Sequence, residues 1–150
     1  MATFEFTLSS LEYNYEFVEQ SPDLGWFAVN ILPGAPERAG VEYHIPGVDG
    51  QCWSDGGIVG SNLSLIGRVV ETSEIQARID IEEMLADLDV SLPIEVTLVY
   101  GAMTVLYERC LIKGFEILRS GGGVVLSDGD GAGFVEFRLD LRALGKGELT

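Results

Sequence analysis

The chain has 150 residues, 24 of them acidic and 9 basic, for a formal net charge of −15, with 47 % hydrophobic residues and 19 glycines. That length sets a prior of one domain, able to bury roughly two-thirds of its unfolded surface, and the composition excludes a disordered chain. So acidic a balance also excludes a DNA or RNA groove, which needs clustered Lys and Arg. No apolar stretch comes near the ~18 residues of a membrane span. Met1-Ala2-Thr3-Phe4-Glu5 carries no basic region followed by an apolar run, so neither a signal peptide nor a membrane partner is expected.

Phe4, Phe6 and Leu8 alternate with Thr3, Glu5 and Thr7, the period-2 pattern of a half-buried strand. After Ser9-Ser10 the pattern restarts with Tyr13, Tyr15 and Phe17, which predicts a hairpin or meander. Gly25 to Leu32 reads as a further strand stopped by Pro33-Gly34. Residues 33–62, with Pro33, Pro36, Pro46 and several glycines, read as a long irregular loop. A loop of that length is usually functional or pinned by a partner. Within it, Val41 to Ile45 reads as extended and ends at the turn dipeptide Pro46-Gly47.

Ser61 to Val70 is expected to be a strand, and Gly67 in its middle points to a bulge or a close backbone approach. A helix is predicted over 73–88: Ser73 and Gln76 fit a capping box, and Ala77, Ile81, Met84, Leu85 and Leu88 form one stripe. The competing reading is a strand, since Ile75, Ala77, Ile79 and Ile81 also alternate; the continuation Glu82 to Leu88 favours helix. Ile94, Val96, Leu98 and Tyr100 alternate as a strand, Gly101-Ala102 reads as a turn, and Val105 to Leu118 as one or two return strands. Ser120 to Gly123 and Asp128 to Gly131 are turn punctuation. Phe134, Glu136, Arg138 and Asp140 alternate with Val135, Phe137, Leu139 and Leu141 in a closing strand, and the tail 145–148 is expected to fray. The expected class is mainly β: a sandwich or partly open barrel, with one flanking helix at 73–88 and the irregular loop at 33–62.

Chemistry-bearing patterns are sparse. His44 is the one histidine and has no legible nucleophile arrangement around it. Cys52 and Cys110 lie far apart and outside any C-x-x-C pair. Two free thiols in a reducing compartment are the simplest reading, with a disulfide open should the fold join them. Asp128-Gly129-Asp130-Gly131 starts like a calcium loop, but Ala132 and Leu139 stand where further carboxylates belong. Gly121-Gly122-Gly123 lacks the Lys-Ser/Thr of a phosphate loop. Carboxylates posed for glycosidic chemistry are indistinguishable in sequence from a solvated acidic face. No cofactor, metal or catalytic activity is expected.

Tyr43-His44-Ile45-Pro46-Gly47-Val48-Asp49-Gly50 resembles the "aromatic or His, then Pro-Gly-x-Asp-Gly" signature of a group of bacteriophage tail and baseplate proteins. The likeness continues through Leu63 to Val70, a helix, Tyr107 to Ile112 on a return strand, and a closing Phe134-Val135-Glu136-Phe137, covering about residues 41–142. It departs where Asp55 is followed by Gly56-Gly57-Ile58 rather than by a Leu-Gly-Arg-like step. The resemblance implies the tail-tube fold and a structural role in a tail tube, tail tip or baseplate hub of a virion assembled in the host cytoplasm. The partners would be copies of the chain in a ring and adjacent tail proteins, with DNA passing an acidic lumen unbound. His44, Pro46, Gly47, Asp49, Gly50 and Trp53 are the candidate interface residues: Pro46 fixes the approach to the turn, Gly47 and Gly50 supply positive φ, and Trp53 is an anchor for a neighbour. The alternative is a carbohydrate-binding sandwich on a receptor-binding device, with Trp26, Trp53, Tyr13 and Tyr15 as stacking surfaces.

Overall fold

The computed structural model describes residues 4–43, 46–47, 52–88, 92–145 and 147–149, and for 33–43 and 52–60 the backbone alone. The element order is β1 (Phe4–Ser9), β2 (Asn14–Phe17), β3 (Gly25–Tyr43), β4 (Cys52–Glu71), α1 (Glu74–Leu88), β5 (Ile94–Tyr100), β6 (Met103–Val125), β7 (Gly131–Ala143) and β8 (Glu148–Leu149). The fold is mainly β with one helix, as the alternating patterns imply. The sheet runs β2-β1-β5-β6-β7-β4-β3, with β8 beside β6.

Strand β6 joins the two halves of this sheet. Its first part pairs with β5 and its second with β7, and Cys110 sits at the change, opposite Ile94 on one side and Ala143 on the other. The far ends of the sheet then meet at a single parallel bridge, Val18 to Phe27, held by Val18 N–H to the Trp26 carbonyl and Ala28 N–H to the Val18 carbonyl. Among the described residues no ladder closes that seam, so the sheet stays open.

The two halves face each other across aromatic rings. Phe6 stacks on Phe17 with centroids 4.5 Å apart, Phe17 meets Phe137 edge-on at 5.6 Å, and Phe137 stacks on Phe115 at 5.5 Å. Gly67 makes room for this contact: a Cβ there would lie 2.7 Å from Phe137 Cζ and 3.2 Å from Phe17 Cδ1. The bulge expected near Gly67 is also present, as a register shift between Ala28 and Asn30 on the facing strand.

Helix α1 covers the same interior. Ser73 caps it, its Oγ accepting from the Gln76 N–H at 3.1 Å, whereas the Gln76 side chain donates to Asp80 instead of closing a capping box. Ala77, Ile81, Met84 and Leu88 are buried and Leu85 is partly so, while Ile75 and Ile79 point outward. The strand-like alternation of isoleucines is therefore not the one that folds. The helix start rests on β7 at Gly133, where a Cβ would sit 2.1 Å from the Glu74 backbone nitrogen.

Three expectations are corrected. The loop at 33–62 is instead two long paired strands, because β3 is an edge strand, which tolerates Pro33 and Pro36, and bulges absorb the irregular residues. Ser120 to Gly123 is not a turn but a bulged continuation of β6, with Gly123 at φ +83°. The tail does not fray: Glu148 and Leu149 pair with Leu106 and Val105, and Gly147 lies against Tyr107 where a Cβ would be 2.8 Å from the ring.

Gly133→Ala is expected to lower stability by about 2–3 kcal/mol or more, because backbone rather than a movable side chain fills the space. Gly122→Ala, which meets nothing within 4 Å, should lie within about 0.5 kcal/mol of the parent, urea denaturation being the readout for both.

Candidate functional site

Of the candidate interface residues, Pro46, Gly47 and Trp53 lie on the outer end of the β3–β4 hairpin. β4 pairs with β7 only from Ser61 to Glu71; from Cys52 to Gly60 its partner among the described residues is β3 alone. Beyond the Ser61–Ala143 pair the hairpin is thus a two-stranded ribbon. Seven residues of β3, 37–43, give it a reach of about 23 Å along the strand. Register shifts at Glu37/Arg38 and Arg38/Gly40 interrupt it, and a further one at Pro33/Pro36 lies at its base. At its tip Pro46 and Gly47 form an exposed turn, with Gly47 at φ +86°. Trp53 stands opposite Glu42 in the ribbon register. His44, Asp49 and Gly50 fall outside the described residues.

The body carries a second polar arrangement. Inward residues of β7 (Val135, Phe137, Leu139, Leu141) are buried, so Glu136, Arg138, Asp140 and Arg142 face outward, with Arg68 and Ser64 of β4 and Arg119 of β6 beside them. Arg119 donates to Glu136 through Nε and Nη2 at 3.2 and 3.1 Å, and Arg68 Nε lies 4.0 Å from the same carboxylate. Both guanidiniums stand over Phe134, at 4.5 and 5.5 Å from its ring centre. Arg138 Nε donates to Asp140 at 2.9 Å, and Ser64 Oγ donates to the same oxygen at 2.6 Å. The Ser64 bond first, and Arg138 with it, hold Asp140 below the usual carboxylate range against its partial burial. Opposite charges alternating along the exposed parity of a strand with a neighbour on each side were the available signal for this network. In the sequence that alternation defines the strand and nothing further.

Two of the four stacking residues of the carbohydrate reading, Tyr15 and Trp26, are spent elsewhere. Tyr15 and Trp26 pack on each other at 5.6 Å, Trp26 also meets Phe17, and the Tyr15 hydroxyl donates to Asp87. Burial and that bond push the Tyr15 hydroxyl well above its ordinary range. Tyr13 is exposed. Cys110 is a free thiol, wholly buried, and burial pushes its pKa up to about 12. A thiol so placed is inert at neutral pH. Among the described residues no His, Cys, Asp and Glu cluster could hold a metal ion, and no helix is long and apolar enough to cross a membrane.

Comparison with known proteins adds a structural likeness. No family model matches the chain, and no curated protein does. Among solved structures it is similar to a sheath/tube terminator of an extracellular contractile injection system in its extended state, at 13 % identity and a TM-score of 0.46 over 97 % of this chain and 92 % of that one. A likeness of that degree assigns no function.

One carboxyl pair has a pH signature. Glu71, at the end of β4, is held above the usual carboxylate range by burial first and by its hydrogen bond with Asp80 second. A raised folded-state value means that its stabilising contribution is complete below the ordinary carboxylate range and is lost as pH rises through the folded value. Glu71→Gln should therefore raise Tm at pH 7, and the advantage should vanish near pH 4, as thermal melts across that range will show.

Proposed function

We propose that this chain is a structural subunit of a phage-tail-like tube, tail tip or baseplate ring, assembled from copies of itself and adjoining tail proteins. The observation that carries this reading is the ribbon of residues 37–43 and 52–60, which pairs with nothing but itself among the described residues. A two-stranded ribbon is marginal in water on its own, and its outer edges offer unpaired N–H and C=O groups. A neighbouring subunit that supplies a third strand or a packing surface removes both costs. The Pro46-Gly47 turn at the tip belongs to the motif that resembles phage tail and baseplate proteins, and in this reading the motif seats the ribbon on the neighbour, with Trp53 as its anchor.

The charge of −15 fits the same role. An acidic wall repels phosphate, so a genome moves through a ring without adhering to it. The expected particle is a ring with an acidic lumen that does not retain DNA.

Replacing residues 37–60 by a two-residue Asn-Gly turn, which joins the paired residues Pro36 and Ser61, tests this directly. The shortened protein should keep its far-UV spectrum and a Tm close to the parent's, yet stay monomeric under conditions in which the full chain forms rings by negative-stain imaging. Rings of unchanged size from the shortened protein would refute the assignment of the ribbon, and a full chain that remains monomeric at high concentration would refute the structural role.

A further inference from the structure

Two surfaces on opposite sides of the body are complementary. Helix α1 packs its buried stripe on the inward faces of β4 and β7, so its exposed face and the outward face of those strands point away from each other. The exposed helix face is apolar in the middle and acidic around it. Ile75 is 72 % and Ile79 45 % exposed, and with Arg78, Glu82, Glu83 and Ala86 they line a shallow trough of about 440 Å³. Within the helix Glu74, Asp80, Glu82, Glu83 and Asp87 face a single base, Arg78, which is bound to Glu74 at 3.5 Å. The last turn has no basic residue, although its unsatisfied carbonyls favour cations. The helix thus carries five acids against one base.

The outward sheet face has the reverse balance. Four of the 9 basic residues of the chain (Arg68, Arg119, Arg138 and Arg142) stand there with Glu116, Glu136 and Asp140. Glu136 is shared by two guanidiniums, and Arg68 Nε is buried without a hydrogen-bond acceptor. Leu32, 41 % exposed, adds apolar area beside Ser64.

We infer that the acidic, isoleucine-bearing face of α1 in one copy docks on the arginine-bearing face of β4, β7 and β6 in the next. The occupant of each surface is a second copy, because the chain itself carries both complementary halves. Such a contact joins unlike surfaces, so it repeats around a ring or along a stack instead of ending at a dimer. It rests on the reading of the chain as an assembling subunit, and it adds which faces meet.

Charge exchange separates the two ideas. Variant one carries Glu82→Lys and Glu83→Lys; variant two carries Arg119→Glu and Arg138→Glu. Each alone opposes like charges across the contact and should assemble more than about tenfold more weakly than the parent by mass photometry or sedimentation. Mixed in equal amounts they present one basic-on-acidic contact of each polarity, so assembly should return, with the two variants alternating in the particles. That recovery also shows that both variants are folded. Parent-like assembly of each variant alone would overturn the proposed contact while leaving ring formation intact. A parent that never assembles would overturn both. A monomeric parent that binds a polyanion such as heparin, and loses it in variant two, would assign the arginine face to a polyanion and likewise overturn the contact.

Discussion

The ring contact between Phe17 and Phe137 over Gly67 is the constraint on which the architecture turns. Phe17 ends the second strand of the chain and Phe137 stands in the middle of the penultimate one, so their meeting brings the opposite halves of the sheet face to face. It is possible because position 67 has no side chain; a Cβ would occupy the space of the Phe137 ring. With the halves drawn together, Val18 can bond to Trp26 and Ala28, and α1 can seal the interior with Ala77, Ile81, Met84 and Leu88. The same alternation that sends Phe137 inward sends Glu136 and Arg138 outward, so the core and the charged face are set by one register.

Much of this was legible in the residues. Period-2 alternation in β1, β5 and β7 located those strands and their buried parity, and Gly67 announced a close approach. The helix was resolved against a real competitor, since Ile75 and Ile79 keep strand parity with Ala77 and Ile81 but end up facing solvent. What misled was proline and glycine. They normally punctuate, and between 33 and 62 they suggested a loop; on an edge strand with bulges they are compatible with pairing, because the missing N–H and the extra residues fall where no third strand needs them. Gly121 to Gly123 misled for the same reason. The docking of the tail depends on the side of Tyr107 being open to Gly147, a long-range fact that no local pattern contains.

The candidate site was legible only in part. The Pro46-Gly47 turn follows from sequence, but the strand that carries Trp53 and the ribbon do not, since the ribbon depends on β7 ending its pairing with β4 at Ser61. The charged network on the outer face was visible only as alternation. Its distribution over β4, β6 and β7 requires the strand order. The two surfaces have one physical theme: backbone edges and side-chain charges that the chain leaves incompletely matched within itself.

Hydrogen–deuterium exchange on dispersed and assembled protein tests that theme most directly. Amides on the outer edges of residues 37–43 and 52–60 should exchange freely in the monomer and become protected in the assembly, while those of β7, already flanked on both sides, should stay slow in each state. Equal exchange of the ribbon in monomer and particle would contradict the account, because the projecting strands would then have found no neighbour.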